Sequence, residues 1–225
     1  AGRASDRLLR AAYDDPAALA ELAASCAWVT TEFENVPAGS LRQLEGRCQV
    51  SPQADAVRVC QHRALEKAHF VDSGVPCAPH ARIESQADLE RVSDDLLPGI
   101  LKTSQLGYDG KGQIRVKTVD EVKAAWEQMG SKACVLEKML DLKIEISVIV
   151  TRSSATEVNT FPVAENQHES GILDISIVPA RVPEAIAEQA RQMALKLAQA
   201  LDYIGVLAVE FFVLQDNTLL INEIA

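Results

Sequence analysis

Apolar positions recur along this chain with two periods, and the elements they predict alternate. The most regular stripe starts at Pro183, a residue suited to a first helical turn. It places Ile186, Ala190, Met193, Leu197 and Leu201 on one helical face. Residues 113–117 instead alternate polar and apolar, the period of a half-buried strand. The short apolar runs Ala27-Trp28-Val29-Thr30-Thr31 and Ile100-Leu101-Lys102-Thr103 read as buried strands. Further strands are predicted near 133–139, 144–151 and 157–163, and two more, 206–214 and 218–224, form a last hairpin. Helices are predicted from Asn35-Val36-Pro37 to a stop at Gly46, and over 61–72 with Ser73-Gly74 as the end. Two more follow the capping signals Ser85-Gln86-Ala87-Asp88 and Thr118-Val119-Asp120-Glu121, the second ending at Gly130. After Lys102 strands outnumber helices and several are adjacent in sequence. That favours an α+β or mixed sheet over a purely doubly wound α/β fold.

The length of 225 residues allows one large domain or two small ones, and a 48 % apolar content is ordinary for a chain with a real core. No apolar run approaches the ~20 residues of a membrane-crossing helix, and residues 1–10 lack a signal-type stretch. The expectation is a soluble, cytoplasmic protein without a membrane partner. A formal charge of −10 argues against a nucleic-acid surface, which needs clustered Lys and Arg. It leaves room for a phosphorylated ligand accompanied by a divalent cation. The five cysteines form no C-x-x-C pair and read as scattered reduced thiols. Residues 206–225 stop inside an apolar strand with no turn or cap, and the first segment has one strand and two helices. Missing sequence is expected at both ends.

Candidate chemistry concentrates in the last hairpin. Glu210 and Glu223 each sit within an apolar strand, where a carboxylate is costly unless neutralised. A turn centred on Asp216-Asn217 places them directly opposite, with Cβ atoms roughly 4.5–5.5 Å apart. Such a pair suits Mg²⁺ held together with phosphate oxygens; the alternative is that both face water. Asn222 points to the other face of an ideal strand, and could still act as a ligand if the strand twists or bulges there. Gly107-Tyr108-Asp109-Gly110-Lys111-Gly112-Gln113 carries three glycines in seven residues. It is either a hairpin turn or a mobile loop that folds over a triphosphate with its backbone N–H groups. Lys102, in the strand before it, either snorkels to solvent or reaches a phosphate. Glu137-Lys138-Met139-Leu140 with Glu145 is either a solvated face or an adenosine pocket. In that pocket, backbone near Met139 and Leu140 pairs with the base. Residues 165–171 read as a polar loop holding His168, and Thr31-Glu32-Phe33-Glu34-Asn35 follows the first strand at its C-terminal end.

Taken in order, Gln61-His62-Arg63-Ala64-Leu65-Glu66-Lys67, Leu101-Lys102-Thr103, residues 107–113, Glu137–Leu140, Glu145, Glu210 and Asn222-Glu223 resemble the ATP-grasp family. Residues 31–37, 107–113 and 165–173 look like its members that carboxylate aminoimidazole ribonucleotide. The resemblance implies an ATP-grasp fold, two α+β subdomains around the nucleotide, over 61–225 with a lid at about 80–140. A partial Rossmann-like α/β domain over 1–60 would precede it. It implies ATP and Mg²⁺ as cofactors and a homodimer. Arg63 and Lys102 would contact phosphates, and 107–113 (Gly107, Tyr108, Asp109, Gly110, Lys111, Gly112, Gln113) would close over them. Glu137, Lys138, Met139 and Leu140 would hold adenine, Glu145 the ribose, and His168 would lie near the nucleotide. Glu210 and Glu223 would bind Mg²⁺, with Asn222 beside the nucleotide. Tyr108, Asp109 and Lys111, with Glu32 or Glu34, would face aminoimidazole ribonucleotide. Lys102, Lys111, Tyr108 and Asp109 would be the catalytic set. The implied reaction carboxylates that ribonucleotide with bicarbonate and ATP, through carboxyphosphate. Leu106 stands where the family usually has a second Gly. The alternatives are another ATP-grasp carboxylase or carboxylate–amine ligase, and a nucleotide-binding module without turnover.

Overall fold

The computed structural model describes residues 5–105, 107, 112–169 and 171–225. They form three sheets, each against its own apolar cluster. The first part contains α1 (Pro16–Ser25), β1 (Trp28–Thr30), α2 (Ala38–Leu44), β2 (Gln49–Ser51) and α3 (Ala54–Cys60). β1 and β2 pair in parallel, and Val29, Leu41, Leu44, Val50 and Val57 pack together. The Asp15 carboxylate caps α1 by accepting the N–H groups of Ala17 and Ala18 at 2.9 Å. No residue of α1 is fully buried; Leu19, Leu22 and Ala23 pack half-buried on this part's apolar cluster, a short stripe diluted by the alanines around it.

α4 (Arg63–Asp72) leads into a small antiparallel sheet. Its strands are β3 (His80–Ile83), β4 (Gly99–Thr103), β5 (Gln113–Val116) and β6 (Cys134–Lys138), in the order β3-β6-β4-β5. α5 (Gln86–Leu89) and α6 (Val119–Gln128) supply Leu89, Val122 and Trp126 to its core, against Ile83, Leu101 and Leu136. The start of α6 is fixed reciprocally. Thr118 Oγ1 accepts the Glu121 N–H at 3.2 Å, and the Glu121 carboxylate accepts the Lys117 N–H at 2.8 Å. β4 begins at Gly99 because backbone crowds it. A Cβ there would lie 2.7 Å from the Leu96 carbonyl oxygen and 3.0 Å from that of Glu137. Gly99→Ala is therefore expected to cost about 1–3 kcal/mol in urea unfolding. A variant as stable as the parent would mean that β4 shifts freely away from Leu96.

The large sheet holds β7 (Leu142–Arg152), β8 (Val158–Thr160), β9 (Ala164–Glu169), β10 (Ile172–Ile177), β11 (Gly205–Leu214) and β12 (Leu219–Ile224). Its order is β10-β9-β7-β11-β12, with β8 beside β7 and every pairing antiparallel. α7 (Glu184–Ala200) covers one face, burying Ala190, Ala194 and Leu197 against Ile146, Val148, Leu207, Val209 and Phe211. Phe70 of α4 joins the same core. Side chains alternate across a strand, so Glu145, Glu210 and Phe212 fall on the opposite face.

Of residues 165–171, expected from their polarity to be a loop, residues 165–169 instead form most of β9. The two buried polar side chains of β9 are paired. Asn166 donates to Ser147 Oγ at 2.9 Å and accepts from Ser176 at 3.0 Å, and the buried Glu165 carboxylate accepts from Arg181. Such pairing leaves no apolar period in the sequence. The strand expected at 157–163 shortens to β8. Among the described residues no helix is long and apolar enough to cross a membrane.

Candidate functional site

The hairpin β11–β12 pairs Glu210 with Glu223 by a route different from the expected turn. Val213 pairs with Leu219, and the Leu214 N–H meets the Thr218 oxygen at 2.9 Å. The loop is therefore Gln215-Asp216-Asn217, with Asn217 in the left-handed region at φ 67°. Continued regularly, that register would slip Glu210 past Glu223 by one residue. A β-bulge between the Phe211–Ile221 and Glu210–Glu223 pairs absorbs Asn222 and restores the alignment. Asn222, Glu223 and Glu210 then line the same cleft.

β12 is the last strand of its sheet, so one row of its backbone groups has no strand partner. α4 and the segment after it supply partners. The Glu66 carboxyl accepts the Ile224 N–H at 2.7 Å, Lys67 Nζ donates to the Asn222 backbone oxygen at 2.8 Å, and the Pro76 oxygen accepts the Ile221 N–H at 2.9 Å. Arg63, one turn earlier on that helix, donates from Nη1 to Glu223 Oε2 at 3.0 Å. Glu66 and Lys67 are only 2 % and 1 % exposed. Sequence reasoning gave neither a role. A signal was present: Arg63, Glu66, Lys67 and Phe70 have the i, i+3, i+4, i+7 spacing of a buried stripe, with charges at three of its four positions.

A buried ion network extends from this helix into the small sheet. Lys67 Nζ lies 3.4 Å from Glu137 Oε1, and Lys102 Nζ donates to Glu137 Oε2 at 2.9 Å. Burial raises the Glu137 pKa, but the charges of Lys102 and then Lys67 outweigh it and hold the carboxyl below its ordinary value. Glu137 is thus an internal counter-ion that orients Lys102 rather than part of the cleft wall. The N–H groups of Lys138 and Met139 already bond to the Pro79 and Pro98 oxygens at 2.9 Å.

The cleft between the two sheets has a volume of about 280 Å³. Arg63 and Lys102 bring positive charge to it, Glu145, Glu210 and Glu223 negative charge, and Ile100, Leu142 and Phe212 an apolar wall. His168 Nδ1 stands 3.2 Å from Glu145 Oε2. Gly107, Gly112 and Gln113 lie at its edge; Tyr108, Asp109, Gly110 and Lys111 fall outside the described residues. Glu34 lines an adjoining cavity of about 230 Å³ with Arg63, Glu66 and Glu223. Burial and then the Glu223 charge raise its pKa. Glu32 does not line that cavity; it borders another with Tyr203 and Val206.

The donor set fits a hard divalent cation. Burial, then the charges of Glu223 and Glu145, push the Glu210 carboxyl up to about 7. Asn222 Oδ1 is buried without a hydrogen-bond partner, an arrangement that costs free energy unless something binds it. Among the described residues no three His, Cys, Asp or Glu side chains form a closed metal cage. A cation here would complete its shell with water and ligand oxygens, as Mg²⁺ does.

These shifts set a pH dependence. Burial foremost pushes Glu66 up to about 8, and Glu210 reaches about 7, both from an ordinary 4.5. A carboxyl whose folded pKa is raised contributes stability that is full below its unfolded pKa and lost as pH rises through the folded value. His69, pushed down by burial from 6.5, acts in the opposite sense only near and below that pH. Without divalent cation, Tm is therefore expected to fall between about pH 6.5 and 8. A flat or rising Tm there would contradict the burial of these carboxyls.

A family model described as an ATP-grasp domain matches residues 68–225, well over half of the chain, and one described as a ribonucleotide synthetase preATP-grasp domain matches residues 1–61. The chain belongs to the ATP-grasp family. A Brucella melitensis protein named N5-carboxyaminoimidazole ribonucleotide synthase is 43 % identical over 100 % of this chain and 63 % of its own length. Among solved structures, an ADP complex of N5-carboxyaminoimidazole ribonucleotide synthetase superimposes with a TM-score of 0.92 at 37 % identity, covering 100 % of this chain and 60 % of the other. An N5-carboxyaminoimidazole synthase from Aspergillus clavatus, in complex with ADP and 5-aminoimidazole ribonucleotide, gives 0.88 at 30 % identity, over 99 % of this chain and 58 % of the other. This ATP-grasp chain thus spans about three fifths of the length of the relatives it matches.

Proposed function

We propose that this chain is the nucleotide-binding part of an ATP-grasp ligase that carboxylates 5-aminoimidazole ribonucleotide, using ATP and bicarbonate, in purine biosynthesis. The observation that carries the proposal is the single cleft joining Arg63 and Lys102 to Glu210, Asn222 and Glu223. The choice of acceptor is supported by the relatives named for this synthase and by the complex with ADP and 5-aminoimidazole ribonucleotide.

In this reading the apolar wall of Ile100, Leu142 and Phe212 receives the adenine, and Glu145, oriented by His168, accepts from ribose hydroxyls. Lys102, fixed by Glu137, and Arg63, fixed by Glu223, face the phosphates. Glu210 and Glu223, with Asn222 Oδ1, would hold Mg²⁺, which offsets phosphate charge. Residues 107–113 close over the triphosphate, and Tyr108, Asp109 and Lys111 act with Glu34 on the ribonucleotide. Bicarbonate displaces ADP from the γ-phosphorus to give carboxyphosphate. The amine of the ribonucleotide then takes the carboxyl, and phosphate leaves. The chain contributes position, charge and exclusion of water rather than a covalent bond.

The test is phosphate release by the intact protein with Mg-ATP and bicarbonate. Strong stimulation by 5-aminoimidazole ribonucleotide is expected. Intact Mg-ATP binding without that stimulation would sink the choice of acceptor and keep the nucleotide site.

A further inference from the structure

The bulge at Asn222 brings an amide and a carboxylate to the cleft together, but it lies on the outermost strand of its sheet. Nothing in that sheet holds its outer side. Two adjacent side chains of α4 do. Glu66 takes the N–H that follows Glu223, and Lys67 takes the carbonyl that precedes it. The backbone on both sides of Glu223 is therefore anchored, and Arg63 holds its carboxylate.

Lys67 has a second contact. Its ammonium, 2.8 Å from the Asn222 oxygen, is also 3.4 Å from Glu137, the counter-ion of Lys102. One buried cation thus touches the β12 bulge of the large sheet and the β6 carboxylate of the small sheet. The oxygen donors on one side of the cleft and the phosphate-facing lysine on the other are referred to a common point.

We propose that Glu66 and Lys67 are positioning residues of the cation site. Glu66 sets the bulge that aims Asn222 and Glu223, and Lys67 couples that bulge to Lys102. The inference rests on the metal reading given above. A purely structural role for the two residues would lower stability without changing how metal and nucleotide bind.

ATP titrations into the chain, with Mg²⁺ and with chelator, separate the two roles. Glu66→Leu removes the acceptor. It is expected to raise the apparent Kd for Mg²⁺ at saturating ATP roughly 10–100-fold, the usual cost of losing an outer partner of a metal ligand, with metal-free ATP affinity changed less than about twofold. Glu66→Gln keeps an acceptor oxygen and is expected to restore the Mg²⁺ dependence. Lys67→Met is expected to weaken both, because Lys102 loses its shared anchor. If Glu66→Leu does not fold, Glu66→Asp retains the carboxyl but not the reach, and the same selective loss is expected. Unchanged Mg²⁺ affinity in the folded Leu or Asp variant overturns the proposal. So does equal loss in Glu66→Gln and Glu66→Leu. A parent chain that binds ATP with no gain from Mg²⁺ removes the metal reading, and this inference with it. A parent chain that does gain, beside an unaffected Glu66→Leu, removes only this inference.

Discussion

Glu223→Gln is expected to lower phosphate release stimulated by 5-aminoimidazole ribonucleotide about 10²–10³-fold, the scale of removing one preorganised electrostatic group from a reacting centre. Three features converge on this residue. Glu223 pairs across the hairpin with Glu210, follows Asn222 with its unpartnered Oδ1, and receives Arg63 at 3.0 Å. The amide keeps the size and one acceptor oxygen, so the fold should persist while the charge that attracts the cation is lost. Removing that charge also relieves Glu210, whose pKa Glu223 raises. Tm near pH 8 is then expected to hold or rise while activity collapses. Loss of both together would mean that Glu223 matters chiefly to folding, and unchanged activity would place the cation elsewhere. Circular dichroism alongside the phosphate assay distinguishes these results.

Glu137→Ala is expected to produce the largest loss of stability, about 3–5 kcal/mol by urea unfolding, the cost of breaking a buried ion pair from one side. Glu137 is 3 % exposed and faces two ammonium groups, Lys67 at 3.4 Å and Lys102 at 2.9 Å. Without it two lysines stay in a poorly solvated interior with their shared counter-ion gone. Replacing Glu137 and Lys102 together by apolar residues should recover part of the loss, since the remaining charge count falls. A single variant that costs less than about 1 kcal/mol would show that water reaches the lysines and that the pair behaves as a surface ion pair.

Much of this architecture was legible in the chain because it rests on apolar periodicity. The stripe through Ile186, Ala190 and Leu197 becomes α7, and the alternation of 113–117 becomes β5. Elements held by polar pairing were not legible. β9 looked like a loop because Glu165 and Asn166 are satisfied by Arg181, Ser147 and Ser176, distant partners that no local pattern reveals. The site shows the same division. The pairing of Glu210 with Glu223 could be counted from the turn, yet the turn has three residues and the bulge supplies the missing one. Two offsetting departures gave the expected alignment, and the second explains how Asn222 reaches the cleft. Glu66 and Lys67 stayed hidden because charged residues in a helix ordinarily read as its solvated face. Only the edge of β12 shows why they are inside.

In the proposed reading, the cleft between the two sheets binds ATP through Lys102 and a cation at Glu210 and Glu223. Calorimetric titration of ATP into this chain tests it most directly, in Mg²⁺, in chelator, and with Lys102→Met. Saturable one-to-one binding is predicted, weakened about tenfold or more both by chelator and by Lys102→Met, in keeping with charge-assisted phosphate contacts. Binding that neither change affects, or no binding by a folded chain, would contradict the account.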